Sequence, residues 1–184
     1  MKPSFTKIDL DKALREIGPK VQRAFDLSHG ALLRAGIPHV VVGGLAVNAY
    51  GHHYSTHDVD YLVDAEDAFE GKVVLTHRPG VPFQVGGVPI DYVTEDARFP
   101  QAVREAMRAN VEAARQRDDK VAVIQDWLLV WLKLNVGRSK DVAAVVGLIQ
   151  AGLDVENVRD RLVDAGPERV VAFFDRCIEE AEAE

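Results

Sequence analysis

His39-Val40-Val41-Val42-Gly43-Gly44, read together with Asp58-Val59-Asp60-Tyr61-Leu62-Val63, decides the fold. The first stretch is a short apolar run, the pattern of a buried strand, entering a glycine turn. Residues 45–50 then read as a short helical segment stopped by Gly51. The second stretch alternates polar and apolar residues, the period-two signature of a half-buried strand. On a strand, residues i and i+2 face the same way, so Asp58 and Asp60 project side by side. Two adjacent carboxylates repel unless a cation sits between them. A hard divalent cation such as Mg²⁺ or Mn²⁺ prefers oxygen ligands and commonly shares them with phosphates. The competing reading is two solvated aspartates on an exposed strand face, which the poor strand preference of Asp disfavours.

Working outward, Ile90-Asp91-Tyr92 puts a third aspartate inside an otherwise apolar strand over residues 88–93. Gly86-Gly87 is the hairpin turn that returns this strand from residues 83–85. If 88–93 lies beside 58–63, Asp91 completes a three-carboxylate cluster able to hold two metal ions. Gly43 and Gly44 let the backbone approach a phosphate closely, at a helix start that offers unpaired N–H groups. The same pair also serves as a plain tight turn.

Upstream, residues 9–35 read as helix in two pieces, broken at Gly18-Pro19, with Pro19 suited to open the second. Residues 72–76 are a further strand candidate. After Pro100 the pattern turns helical, near 101–117, 124–136, 139–150, 154–164 and 167–183, with breaks at Gly137, Gly152 and Gly166-Pro167. The expected class is α+β: a small mixed β-sheet with helices packed on it over residues 1–100, then a helical C-terminal region, 101–184, packed on that core. Val155, Val158 and Leu162 share one helical face, so 154–183 is expected to form a cap that the chemistry does not need.

The composition of the 184 residues, 47% hydrophobic and 28% charged, is that of a globular domain. The apolar run at 121–134 is interrupted by Gln125, Asp126 and Lys133, so no membrane span is expected. The N-terminus lacks a secretory pattern, and the lone Cys177 fits a reducing, cytoplasmic setting. Net charge is −7, but residues 154–184 hold ten acids against four arginines, leaving 19 acids and 18 bases in 1–153. A nucleic-acid partner would therefore need a local basic patch.

Gly43-Gly44, thirteen residues, Asp58-Val59-Asp60 and then Asp91 resemble the polymerase-beta-type nucleotidyltransferase superfamily, and within it the small bacterial AbiEii-like and related minimal nucleotidyltransferases. A second block, Leu132-Lys133-Leu134 followed by Gly137-Arg138-Ser139-Lys140-Asp141, is similar to a downstream helix–turn–helix segment of that group. The resemblance spans roughly residues 36–150. It implies transfer of a nucleoside monophosphate from an NTP such as ATP to an acceptor hydroxyl, with release of pyrophosphate. By position, Asp58, Asp60 and Asp91 would bind Mg²⁺ or Mn²⁺, and Asp91 would help deprotonate the acceptor. Gly43 and Gly44 would hold the triphosphate, with Thr56, Lys133 and Lys140 also at the nucleotide. The group often carries an Arg four residues before the first aspartate. Tyr54 stands there in this chain, and a phenol cannot give the charge-assisted phosphate contact of an Arg. His52, His53 and His57 are the substitutes at hand.

The remaining features have plain structural readings too. His53 and His57 are four apart, zinc-ligand spacing only on a helix, and Gly51 argues for a loop. Lys133 fits either a phosphate contact or an aliphatic stem lying along an apolar helix. Trp127 and Trp131, one turn apart, fit core packing before base stacking. Arg104, Arg108, Arg115 and Arg117, interleaved with acids, fit a solvated helix face. The acceptor stays open between RNA, protein and a small molecule such as an antibiotic. The resemblance also admits a toxin–antitoxin or defence component with a cognate antitoxin as partner. A rival of another class is a non-catalytic domain of the same fold that binds nucleotide or protein.

Overall fold

The first pieces of regular structure are α1 (Leu10–Glu16) and α2 (Pro19–Arg34), followed by β1 (His39–Val41), α3 (Gly43–Ala49) and β2 (Val59–Val63). The short α4 (Ala65–Ala68) and the two-residue strands β3 (Phe69–Glu70) and β4 (Thr76–His77) lead to β5 (Gln84–Val85) and β6 (Val88–Val93). Then come α5 (Gln101–Arg115), β7 (Ala122–Val123), α6 (Asp126–Val136), α7 (Ser139–Gln150), α8 (Val155–Ala165) and α9 (Glu168–Ala183). This computed structural model describes residues 8–70, 76–77, 80–116 and 121–183. The strand expected over 72–76 falls mostly outside them, with only Thr76 inside, in β4. Arg117 lies outside as well.

The larger sheet has the order β5-β6-β2-β1-β7. It is mixed: β1 runs antiparallel to β2 and parallel to β7, while β6 runs parallel to β2 and antiparallel to β5. The β2–β6 register sets Asp60 directly opposite Asp91. Gly86 and Gly87, with φ of 58° and 79°, supply the left-handed pair of residues that a two-residue hairpin between β5 and β6 requires. The architecture is thus α and β, mostly helical, around a small mixed sheet.

Helix α2 covers one face through Val21, Phe25 and Leu32. On that side Ser28 accepts or donates a 3.0 Å hydrogen bond with the Tyr61 hydroxyl, and Tyr61 stacks beside Tyr92 at 6.3 Å. Strand alternation then sends Asp60 and Asp91 to the other face, where α5 and α6 pack. Helix α6 buries Trp127, Leu128, Leu129, Val130, Trp131 and Leu134. A helix apolar nearly all round belongs in a core, and Gly137 ends it in the left-handed conformation at φ 69°. Buried apolar residues from Ala13 to Cys177 form one cluster.

Besides the short α4 and β3, two details differ from the sequence expectation. The helix after β1 starts at Gly43 rather than Leu45, because Gly43 and Gly44 form its first turn. Strand β7 was not expected; two residues are too few to show a period, and the Ile124 N–H to Val41 carbonyl bond of 3.0 Å extends its pairing with β1.

Candidate metal centre

Asp60 comes from β2, Asp91 from the neighbouring β6 and Asp58 from the residue before β2. Their carboxylates each offer an oxygen, and these atoms lie within 4.8 Å of one another. Asp58 and Asp60 are half-buried and Asp91 is exposed. The cluster foreseen from the alternating pattern is therefore assembled, and the parallel pairing of β2 with β6 is what brings Asp91 to it.

The glycines seat these aspartates. Gly43 has φ +63°, and a Cβ there would overlap the Asp60 carboxylate. A Cβ on Gly44 would come within 2.7 Å of Thr56 Oγ1 and 2.8 Å of its Cβ. Thr56 in turn donates its hydroxyl to Asp58 Oδ1 at 2.8 Å. Sequence inspection missed the residue that fixes this loop. Asn48 is buried on α3, and its amide donates to the Tyr54 carbonyl at 2.8 Å while accepting from the Tyr54 N–H at 3.0 Å. It also donates to the Gly44 carbonyl at 3.0 Å. The signal was present: an Asn inside Leu45-Ala46-Val47-Asn48-Ala49 is a polar side chain on an apolar helix, and such a group needs partners.

Lys133 and Arg138 stand on the α6 side. The Lys133 ammonium donates to Asp141 Oδ1 at 3.2 Å and lies 5.1 Å from the centre of the Tyr54 ring. Arg138 Nε donates to Asp141 Oδ2 at 2.7 Å. Asp141 is only 1% exposed. Burial pushes its carboxyl up, but the Arg138 hydrogen bond and the Lys133 charge outweigh this and hold it below the usual range. Asp141 thus serves as the counter-ion that orients both cations. Lys140 is exposed and lines neither of the cavities that reach the carboxylates, whereas Arg138 lines one of them.

Asp60 is the strained member. Burial, then the charges of Asp58 and Asp91, push its carboxyl up to about 7, against the opposing pull of Lys133 and a hydrogen bond from the Gly44 N–H. Ionised together, three clustered acids repel, and a divalent cation would relieve this.

Two cavities reach the cluster. One of about 240 Å³ is lined by Gly43, Asp60, Lys133, Arg138 and Asp141. Another of about 610 Å³ is lined by Lys20, His53, Tyr54, Thr56, His57 and Asp58. A third, about 650 Å³, lies between the end of β2 and α5 and touches none of the three carboxylates. Its Arg108 and Arg115 are already paired, to Glu95 at 2.7 Å and to Asp67 at 3.0 Å, so its size does not make it the reactive site. Trp127 and Trp131 are core residues, as their spacing suggested. Among the described residues, no helix is long and apolar enough to cross a membrane. Compared with known proteins, the chain matches no family model, no curated protein and no solved structure.

Proposed function

We propose that the chain is a metal-dependent nucleotidyltransferase, moving a nucleoside monophosphate from an NTP to an acceptor hydroxyl. The observation that carries this reading is the three-carboxylate cluster on paired strands, set against a glycine helix start with Lys133 and Arg138 alongside. The donor set fits Mg²⁺ or Mn²⁺: all oxygen, all carboxylate, partly exposed so that phosphate oxygens and water can complete the shell. Asp58, Asp60 and Asp91 would hold the ions, which when bound supply charge neutralisation to the triphosphate and acidity to the acceptor hydroxyl.

The protein's own groups do the rest. Lys133 and Arg138, held by Asp141, offer cationic donors toward the leaving pyrophosphate. Gly43 leaves room for Asp60 to sit against the backbone where a phosphate would approach. Asp91, the exposed carboxylate of the three, would accept the acceptor's proton and pass it to water. Tyr54 does not replace a phosphate-binding Arg; it lies beneath Lys133 and presents its ring face to the ammonium.

The test is direct. Incubation with each labelled NTP, Mg²⁺ and cell lysate should transfer label to one fraction, small molecule, RNA or protein, with stoichiometric pyrophosphate. Asp60→Asn should transfer none. Label retained by Asp60→Asn would detach the activity from this cluster. The second reading, a domain that binds nucleotide without turnover, is favoured by the engagement of Lys133 with Asp141 and Tyr54. Mg²⁺-dependent NTP binding with no pyrophosphate release in any lysate would select it. A toxin–antitoxin role and a cognate antitoxin rest on the resemblance alone.

A further inference from the structure

We infer that the cavity beside Asp58 is the acceptor subsite, and that it takes a nucleotide-sized acceptor carrying a single phosphate near its attacking hydroxyl. The inference rests on the nucleotidyl-transfer reading above. The cavity, about 610 Å³, is bounded by the first turn of α2, the loop 53–58 and the β5–β6 hairpin. That volume lies in the range that encloses a small ligand.

Its wall is rich in hydrogen-bond donors, with one cation, Lys20, beside the two acids Asp58 and Glu16. Lys20, His53 and His57 all line it, and none of the three has an ion pair among the described residues. Glu16, the other acid in the wall besides Asp58, lies 3.8 Å from Lys12. Gly87 of the hairpin lies beside the Lys20 ammonium: a Cβ there would be 3.6 Å from Nζ, an ordinary contact. A neutral imidazole still carries one N–H, so His53 and His57 are donors whatever their protonation. The start of α2 has no side-chain cap, and Pro19 occupies its first position, which adds a weak positive end to the same wall.

One lysine with two imidazoles matches one phosphate group and not a polyanion. Residues 1–153 hold 19 acids and 18 bases, so their net charge offers no general attraction to a polyanion. The same lysine would repel a polycationic acceptor of the aminoglycoside type. The cluster presents Asp60 to the smaller cavity and Asp58 to this one, so an α-phosphorus held at the carboxylates is reachable from both. In the reaction, the acceptor oxygen bonds to the α-phosphorus. The bond from that phosphorus to the bridging oxygen breaks, and its electron pair leaves on pyrophosphate. The hydroxyl proton passes to Asp91 and then to water.

The full-length protein, saturated with Mg²⁺ and a non-hydrolysable ATP analogue, would be titrated calorimetrically with ribose 5-phosphate, glycerol 3-phosphate and AMP, and with ribose, glycerol and adenosine. At least one phosphorylated probe should bind roughly tenfold or more tightly than its dephosphorylated partner, as expected of a charge-assisted phosphate contact. It should shift the His53 and His57 ring resonances. Lys20→Glu should erase that preference while the affinity for the ATP analogue stays within about twofold, since Lys20 lies outside the donor cavity. No preference for any phosphorylated probe, or a preference that survives Lys20→Glu, overturns the inference. Tighter binding of a single-stranded RNA than of every monophosphate overturns the single-phosphate part of it. Failure of the wild type to bind a non-hydrolysable analogue of any of the four NTPs with Mg²⁺ would instead sink the nucleotidyl-transfer reading itself.

Discussion

Asp60 is where folding and the proposed metal site oppose each other. Its carboxyl, pushed up to about 7 by burial and by Asp58 and Asp91, holds a proton in the folded chain over a range where the unfolded chain has lost it. Between the unfolded value near pH 4 and the folded value near 7, the folded state therefore binds more protons, and stability falls as pH rises. The loss is on the order of a few kcal/mol for a shift of this size. Without metal, the melting temperature should drop from pH 5 to pH 8, and Mg²⁺ should restore it at pH 8 by binding the ionised cluster. Asp60→Asn should flatten the pH slope, melt slightly higher without metal, and show no Mg²⁺ shift. A variant that keeps both the slope and the Mg²⁺ shift would make the pair an ordinary solvated strand face. His39 works in the opposite sense. Burial first, with a smaller push from His29, lowers its pKa to about 4 despite the hydrogen bond with the Ile37 carbonyl. The unfolded chain takes up this proton first, so stability present above about pH 6.5 is lost as pH falls towards 4. NMR should find the His39 ring still neutral at pH 5; a midpoint near 6.5 would mean that the ring is not sealed between β1 and α2.

At the scale of elements, the site depends on how closely α3 starts against β2. Gly43→Ala meets two costs together: a left-handed φ of +63° and a Cβ that overlaps the Asp60 carboxylate. It should destabilise the fold by more than about 1 kcal/mol and abolish the Mg²⁺-induced rise in melting temperature, because Asp60 must move. An unaltered metal response in Gly43→Ala would show that Asp60 has freedom to retreat. The turn between α6 and α7 depends on Asp141 in a similar way. Lys133 is 10% exposed in its side chain, and Asp141→Asn leaves that ammonium with the Tyr54 ring but without its paired carboxylate. Loss of one partner from a buried pair costs roughly 3 kcal/mol, which denaturant melts would detect, and NTP affinity should weaken with it. The β2 and β6 patterns were readable because alternation and a Gly-Gly turn are local signals. The Lys133–Asp141–Arg138 grouping was readable only as a sequence block, since the burial that makes Asp141 the centre of it comes from α7 packing on α6.

Across the whole molecule, local pattern located most helices and the strands that carry the aspartates, but it did not give the order of the sheet. The parallel pairing of β2 with β6 and the two-residue β7 depend on contacts far apart in sequence, which period and turn chemistry do not encode. The same limit applies to the C-terminal helices. Amphipathic spacing gave 154–183 an apolar face and suggested a dispensable cap, yet what that face covers is the back of the site. Trp131 Nε1 donates to the Gly166 carbonyl at 2.8 Å, Arg169 donates to Asn135 at 2.7 Å, and Val158, Leu162, Val170 and Phe174 are fully buried. These contacts fall on α6 and α7, the helices that position Lys133, Arg138 and Asp141. Each fully buried side chain of this kind contributes roughly 1.5–3 kcal/mol, so losing four approaches the whole stability of a domain. A chain ending at Gly152 should therefore unfold without a sharp transition, or melt at least about 15 °C lower, and lose its Mg²⁺ response. Far-UV circular dichroism against temperature, with and without Mg²⁺, measures both. A truncated chain that melts cooperatively within about 5 °C of the full one, with the metal shift retained, would return these helices to the status of a cap.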